Sequence, residues 1–226
     1  GIYQYRHNTD RYHKVLEGSF LRFNLSSFVK ADVVINQFGD HLLYFTDNSN
    51  EPRKINATRA LTNGYSLTLG SGVGSGTDDQ KELFVSVCKQ PPQIPATFEF
   101  EDDPDIKFNN LKNNCFQFAY QYVYDDGELS ALSPYSKLAV SSTNRAFNGP
   151  AQNFLRDRNN KLRVFVQGSV GPVKKIRIYV RRNNDQAFYR IAEIPNRPAS
   201  IAFDFANDGV YTLLPDQEAF KMFDAV

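Results

Sequence analysis

The sequence has no tryptophan, a single methionine, Met222, and only two cysteines, Cys88 and Cys115, in 226 residues. Two cysteines are too few for the disulfide framework of a small secreted protein, so that class is excluded. Both stand in apolar, strand-like runs. Buried reduced thiols are favoured over a bridge, because free cysteine behaves as a small buried hydrophobe. Two isolated cysteines without spaced partners also argue against a zinc site.

An excess of charge of one sign is missing as well. Lys and Arg together number 26 and Asp and Glu 25, which leaves a formal charge of +1. Proteins that read nucleic-acid phosphates usually carry a marked basic excess, so this balance argues against that class. No apolar run approaches the roughly 20 residues that span a bilayer, and no signal-peptide pattern opens the chain. We expect no membrane partner.

No stretch of the sequence predicts a catalytic centre, and we expect neither a cofactor nor a metal. The glycine-rich segment 70–76 is followed by Thr-Asp-Asp, whereas a phosphate-binding loop needs Lys-Ser or Lys-Thr there. A flexible surface loop is therefore favoured. His7 and His13 are close in sequence but have no third ligand at a useful spacing. Exposed histidines are favoured over a metal site.

The acidic segment 101–105 reads Glu-Asp-Asp-Pro-Asp. Calcium is conceivable, since this ion prefers closely spaced oxygen ligands, but the glycine and final glutamate of an EF-hand loop are missing. A solvated loop is the favoured interpretation. Glu101 and Asp103 could also be imagined as the carboxylate pair of a glycosidase. Neither has a general-acid partner in an apolar pocket, so a hydrolase is the weakest hypothesis.

Aromatic residues are abundant, with 19 Phe and 12 Tyr. The richest stretch, residues 116–140, reads FQFAYQYVYDDGELSALSPYSKLAV. Five aromatic side chains alternate there and share one face of an extended strand: Phe116, Phe118, Tyr120, Tyr122 and Tyr124. Asp-Asp-Gly at 125–127 predicts a tight turn, and a returning strand is predicted at 128–132. The stretch is typical of a hairpin in a β-sandwich.

Most of the remaining apolar runs also predict strands. These runs lie at residues 33–35, 42–46, 81–88, 162–166, 174–182, 188–194 and 201–205. Residues 144–160 are polar and predict a long exposed loop. Residues 215–223 begin with proline and acidic residues, which favours a short helix. The predicted fold class is all-β with a minor helix.

The block 31–55 is typical of one hairpin of a propeller blade. Its second strand ends in Thr46-Asp47, whose side chains can bond the following backbone, and Pro52 opens an edge segment. Prolines 91, 92 and 95 predict a stiff linker. We therefore divide the chain into a propeller-like β segment at 1–95, a β-sandwich at 96–210, and a short helix with a connection to a missing remainder at 211–226.

A cluster of basic residues on the strand 174–182 is the one candidate interaction face. It comprises Lys174, Lys175, Arg177, Arg181 and Arg182. Alternation along the strand makes a solvated sheet face the favoured interpretation, and contact with another subunit or with DNA is the alternative.

Three blocks together resemble large tail proteins of short-tailed phages. They are LLYFTDNSNEPRKI at 42–55, FQFAYQYVYDDGELSALSPYS at 116–136, and the run 176–204 followed by LLPDQEAFKMFDAV. The resemblance covers about half of the chain and is to tail-stabilisation, nozzle or muzzle proteins, including those of crAss-like phages. Because the chain begins at Gly1, we expect it to be part of a larger polypeptide, either a proteolytic product or a cloned segment.

The resemblance implies a β-propeller-like body with an inserted fibronectin- or Ig-like β-sandwich. It also implies a homo-oligomeric ring, commonly a hexamer, around the tail channel through which DNA leaves the virion. The partners would be other tail and neck proteins, such as the tail hub and ring proteins, with DNA contacted only inside the assembled channel. Such proteins have no catalytic residues to carry over.

Two departures from this family pattern stand out. The aromatic hairpin precedes the strands 174–182 and 188–194, whereas in a fibronectin-type order it would come last. The sandwich is therefore either permuted or built from two half-modules that share a sheet. In addition, this segment alone could not close a propeller, which needs typically four or more blades. A carbohydrate-binding or host-adhesion module is the alternative function, although tryptophan, the best platform for stacking on sugars, is missing.

Overall fold

The computed structural model describes residues 1–63, 78–112, 114–124, 127–140, 159–169, 173–183 and 185–214. These residues form two compact units, divided between Lys89 and Gln90. Antiparallel strands in four sheets dominate, and no sheet among the described residues is closed. The all-β class is thus confirmed in this general form. The predicted glycine-rich loop 70–76, most of the loop 144–160, and the helix 215–223 lie outside the described residues.

The described residues of the first unit form five strands and two short helices. The strands are β1 (Ile2–Arg6), β2 (Arg11–Leu16), β3 (Lys30–Ile35), β4 (His41–Thr46) and β5 (Arg53–Asn56), with a 3₁₀ turn at Ser19–Leu21 and helices α1 (Ala57–Asn63) and α2 (Asp78–Val85). β1 and β2 form a separate ribbon, while β3, β4 and β5 form a three-stranded sheet in that order. Gly39, at φ +81°, makes the predicted turn between β3 and β4.

The predicted strand at 81–88 is wrong, because residues 78–85 form the helix α2. Asp78 stands in its first turn, where a carboxylate is favoured by the helix dipole. Val85 is fully buried in the apolar core of this unit, together with Phe20, Phe45 and Ile55. Val85, one of the apolar residues that suggested a strand, therefore lies on a helix that packs on the core.

Three charged residues are buried in the described part of the first unit: Asp47, Arg53 and Lys54. Arg53 is 2% exposed, donates to the Leu21 carbonyl, and forms an ion pair with Glu82 of α2. Arg22 binds the other carboxylate oxygen of Glu82 at 3.2 Å. This ion pair links α2 to the first residue of β5.

Two sheets are formed by those residues of the second unit that the structure describes. The five-stranded sheet has the order β13 (Thr212–Leu213), β11 (Tyr189–Pro195), β10 (Val173–Arg182), β7 (Cys115–Tyr124) and β8 (Ala139–Val140); the three-stranded sheet has the order β12 (Ser200–Phe205), β9 (Lys161–Gln167) and β6 (Thr97–Glu101). The strands predicted in these regions are confirmed. Residues 212–213 pair with β11, although the sequence assigned them to a separate third segment.

Side chains from both sheets enter one hydrophobic cluster. The alternating aromatics of β7 lie in it as predicted, and Phe118 and Tyr120 are completely buried. β9 contributes Leu162 and Val164, which are also fully buried. Burial of one such side chain stabilises the fold by about 1.5–3 kcal/mol, so the β7 row is the largest contributor to this core.

The predicted returning strand at 128–132 is wrong. Only Leu129 forms a ladder contact, an isolated bridge to Val123. Residues 128–138 instead run along the edge of β7 in a three-residue repeat, and every third residue is a serine: Ser130, Ser133 and Ser136. We call this segment the serine strap.

Each serine of the strap replaces one step of a normal β ladder. Ser136 shows the pattern: its N–H donates to the Phe118 carbonyl at 2.9 Å, and its Oγ accepts from the Phe118 N–H at 2.9 Å. Ser130 does the same with Tyr122. All three serines are buried. The side-chain oxygen supplies the acceptor that a strand carbonyl would give. Three residues of the strap therefore lie alongside every two residues of β7.

Two smaller expectations also change. The division of the chain falls at residue 89, so the proline segment, predicted to end the first domain at 95, lies within the second unit. Both cysteines are free. Cys88 is exposed and Cys115 half-buried, so the predicted burial of both thiols is wrong; Cys88 follows α2 and does not lie in a strand.

Candidate functional site

Two of the three β7 tyrosines donate their hydroxyl groups to the proline segment 90–94. Tyr120 donates to the Ile94 carbonyl at 2.7 Å, and Tyr124 donates to the Gln90 carbonyl at 2.8 Å. Tyr122 donates to the carbonyl of Gln167, the last residue of β9, at 3.0 Å. The segment 90–94 is therefore fastened to the aromatic core and is not a free linker.

A cavity of about 190 Å³ lies between these tyrosines and the proline segment. Its walls come from β7, from residues 90–94, and from Gln167 and Ser169. The three phenol groups point their oxygens at backbone carbonyls, as described above. Chemically, the cavity offers amide and hydroxyl groups, which bind through neutral hydrogen bonds.

Burial raises the pKa of the Tyr122 hydroxyl well above its ordinary value, and the neighbouring Tyr120 and Tyr124 raise it further. Burial also raises the pKa of Tyr120, although the N–H of Gln167, which donates to its oxygen, opposes the change. Both phenols therefore stay protonated at neutral pH. They act as hydrogen-bond donors there and do not supply a base.

The five predicted basic residues do not form one uniform patch. Lys175 and Arg177 share Glu193 of β11, with Nζ–Oε1 at 2.7 Å and Nε–Oε2 at 2.9 Å. The hydrogen bonds from Lys175 and then Arg177 hold the pKa of the Glu193 carboxyl below its ordinary value. Arg177 and Glu193 stand directly opposite each other in the register of β10 and β11, so this face carries paired charges.

Arg181 is placed differently from the other basic residues. Its guanidinium lies over the rings of Tyr135 and Phe188, at 5.4 and 5.3 Å from their centroids, which is cation–π geometry. It also donates to the side-chain oxygen of Gln117. Lys174 and Arg182 are exposed. Contact of these residues with DNA or a subunit stays a prediction.

The outer face of the five-stranded sheet is only partly solvated, and the expectation of a solvated face is wrong for its centre. A second apolar cluster covers that centre: Ala119, Leu132, Tyr179, Phe188 and Leu214. Leu132 belongs to the serine strap, and Phe188 directly precedes β11. These irregular segments fold over the sheet and supply the apolar cover that the strand pattern alone did not indicate.

The acidic segment 101–105 is organised around a lysine. Lys161 of β9 contacts three carboxylates, Asp103 at 3.1 Å, Glu101 at 3.3 Å and Asp204 at 3.4 Å. Arg163 contacts Glu101 and Asp204 as well. The Asp103 hydrogen bond is the main reason that the pKa of Lys161 is raised. Glu101 and Asp103 are thus partners of a shared cation, which does not favour the glycosidase arrangement.

Asn160 fixes the loop that follows β6. Its side-chain oxygen accepts from the Asp103 N–H at 2.8 Å, and its amide donates to the carbonyls of Asp103 and Ile106. Within the described part of the chain, no group of three or more metal-ligating side chains comes together. This holds for the acidic loop and for the two histidines: His7 is exposed and His13 half-buried on the β1–β2 ribbon.

The β1–β2 ribbon carries exposed tyrosines on one face. Tyr5 and Tyr12 stand opposite each other, with ring centroids 5.0 Å apart, and Tyr12 is 75% exposed. Tyr3 is the third exposed ring. Its hydroxyl bonds Glu17, and that of Tyr5 bonds Asp10.

The comparisons with known proteins add no family to this description. No family model matches the chain, and no curated protein matches it. Among the residues that the structure describes, no helix is both long and apolar enough to cross a membrane. The fold defines a β-rich protein whose irregular segments are tied to its sheets by tyrosine and serine side chains.

Sequence reasoning missed the polar groups that tie the irregular segments to the sheets. The three serines of the strap were visible as a period of three in ELSALSPYS, but alternation tests only for a period of two. The tyrosine hydroxyls were placed on the correct face, yet their partners lie far away in sequence. The sequence did not indicate that Lys161 binds several carboxylates, because that role depends on which strands flank β9.

Proposed function

We propose that this chain is a structural component of a virion, part of the nozzle or muzzle ring in the tail of a short-tailed bacteriophage. In that role it forms or gates the channel through which DNA is ejected. The second unit serves as a fibronectin- or Ig-like β-sandwich and the first as a propeller-like β segment. The resemblance of the three sequence blocks to such tail proteins motivates the proposal.

The observation that carries the proposal furthest is the fastening of irregular segments to the sheets. The tyrosine hydroxyls hold the segment 90–94, and the serine strap holds eleven residues against β7 through both backbone and side-chain bonds. Segments bonded at such close intervals resist local opening. A subunit that bears load during DNA ejection benefits from connections of this kind.

The proposed partners are identical copies in a ring, hexameric in the family that the chain resembles, together with tail-hub and ring proteins. The exposed basic residues Lys174 and Arg182 are candidates for subunit contacts or for DNA contacts inside the assembled channel. No catalytic residue is proposed. The chain would act by assembling, with chemistry left to other proteins of the particle.

The test uses purified particles of the phage whose genome encodes the chain. Immunogold labelling with an antibody against residues of the second unit should place gold at the tail, and mass spectrometry of the particles should detect the chain in several copies per virion. Its absence from purified particles, or label confined to lysate, would contradict the proposal.

The exposed tyrosines of the β1–β2 ribbon favour one second candidate, a carbohydrate-binding or host-adhesion module. Tyr5 and Tyr12 form a paired aromatic surface of the kind that can stack on sugar rings. Glycan-array binding by the whole chain, lost in Tyr12→Ala and kept in Tyr44→Phe, would support this candidate. A chain that binds no glycan would eliminate it and leave the virion role untouched.

A further inference from the structure

β3 is an exposed edge of the three-stranded sheet in the first unit. It pairs with β4 on one side, and no strand within the described residues lies on the other. All six of its residues are exposed. An edge strand presents unpaired N–H and C=O groups, which readily pair with a strand from another chain.

The side chains of this edge are unusually apolar for an exposed surface. Val33, Val34 and Ile35 are 60%, 51% and 64% exposed, and Phe28, just before the strand, is 78% exposed. Natural edge strands are normally protected by several charges, by proline or by a bulge. Residues 27–36 contain only two charges, on Lys30 and Asp32, so the edge is weakly protected.

We propose that β3 pairs with β3 of a second copy of this chain, in an antiparallel, two-fold arrangement centred on Ala31. The two sheets then join into one six-stranded sheet across the dimer. The proposal does not depend on the proposed function: a two-fold contact joins copies in pairs and does not close a ring.

Charge selects this register among the two-fold alternatives. With Ala31 at the centre, Lys30 of each copy stands opposite Asp32 of the other, which gives two cross-strand ion pairs. A register centred on Lys30 or on Asp32 would place like charges opposite each other. A register centred on Val33 would place Asp32 opposite Val34 and Lys30 opposite Asn36, with no ion pair.

The same register also pairs the apolar side chains. Phe28 stands opposite Val34 of the second copy, and Val29 opposite Val33, because residues whose numbers sum to 62 face each other. On one face of the joined sheet, the two ion pairs are therefore flanked at both ends by a phenylalanine–valine pair. Neither Lys30 nor Asp32 has an ion pair within the described part of the chain, so both are available for this contact.

Charge reversal tests the register directly. The variants are Lys30→Asp, Asp32→Lys and the double exchange Lys30→Asp/Asp32→Lys, all on exposed positions and each checked for folding by circular dichroism. Sedimentation velocity should show the wild-type chain at about twice the 25.7 kDa of one copy. Each single variant should associate more weakly by on the order of tenfold, and the double exchange should restore dimers.

Mixing the two single variants gives the sharpest outcome. One then presents two acids and the other two lysines, so they should form a mixed dimer although neither dimerises well alone. Amide exchange at Val33 should slow with rising concentration of wild-type chain. A monomeric wild-type chain, single variants that dimerise like wild type, or a mixture that fails to recover would each overturn the proposal.

Discussion

Ser133 and Tyr120 exchange two hydrogen bonds along the edge of β7. The Ser133 N–H donates to the Tyr120 carbonyl at 2.7 Å, and the Tyr120 N–H donates to the Ser133 Oγ at 3.1 Å. The Ser133 hydroxyl in turn donates to the carbonyl of Pro134 at 2.9 Å. One hydroxyl thus satisfies a buried strand N–H and a neighbouring carbonyl, which lets an irregular segment cover the strand edge.

Replacement of Ser133 should therefore lower the stability of the fold. Ser133→Ala leaves the buried N–H of Tyr120 without an acceptor, which destabilises a protein by about 1–3 kcal/mol. Urea unfolding followed by circular dichroism measures the loss, and amide exchange at Tyr120 should accelerate. Ser200→Ala, at an exposed serine of β12, is the control and should stay within about 0.5 kcal/mol of wild type. Equal effects of the two would contradict the role given to the strap.

The tyrosine hydroxyls should fix the proline segment. Tyr124→Phe removes the bond to the Gln90 carbonyl and should lower stability by about 0.5–1.5 kcal/mol, while exposing residues 90–94 to limited proteolysis. Tyr12→Phe, at a 75% exposed ring, is the matched control and should change neither quantity. Unchanged cleavage at residues 90–94 in Tyr124→Phe would show that other contacts hold the segment.

Stability should decline in alkali because of Tyr122. In the unfolded chain the pKa of Tyr122 is about 10. In the folded chain it is raised above that value. The unfolded state therefore releases this proton first. The contribution is complete below about pH 10 and is lost as the pH rises toward the folded value. Urea midpoints between pH 8 and 11.5 should fall more steeply for wild type than for Tyr122→Phe. Parallel curves would refute the assignment.

Lys161, which contacts three carboxylates, should make the stability of the fold depend on pH. Hydrogen bonds from the Asp105 N–H and from Lys161 keep the pKa of Asp103 below its ordinary value. Asp103 therefore stabilises the fold above about pH 4, and this contribution is lost as the pH falls through its folded pKa. Lys161→Met leaves carboxylates close together, so it should be less stable than wild type at pH 7.

The difference in stability between Lys161→Met and wild type should become smaller below about pH 4. Protonation of the carboxylates removes their attraction to Lys161 in wild type and their mutual repulsion in the variant. Thermal midpoints at pH 3 and pH 7 measure this. Lys107→Met, at an exposed lysine of the same region, is the control. A gap of constant size at both pH values would mean that Lys161 contributes by packing alone.

Neutralising one partner of the buried Arg53–Glu82 ion pair should strongly destabilise the first unit. Glu82→Gln leaves the buried Arg53 without its carboxylate, and breaking a buried pair in this way costs about 3–5 kcal/mol. Glu17→Gln removes an exposed carboxylate that pairs with Lys14 and should lower the free energy of unfolding far less, because solvent screens an exposed pair. The free energy of unfolding from urea titrations separates the two. Similar small losses would show that Arg53 is satisfied by other groups.

Strands were predictable from the sequence where alternation is strict. In β10 the inward residues Ile176, Ile178 and Val180 are buried as their spacing indicates. α2 was missed because its apolar residues form a short continuous run, Leu-Phe-Val, which fits a strand as well as a helix. The acidic Asp78 at its start was the available signal. The pairing of Lys175 and Arg177 with Glu193 depends on strand register, which a single sequence does not reveal.

We propose that this chain works by assembling into a virion tail. A cryo-electron microscopy reconstruction of the intact particle tests it most directly. The two sheets of the second unit should fit density in the tail, repeated around the axis of the DNA channel. A reconstruction in which every tail density is explained by other proteins would contradict it.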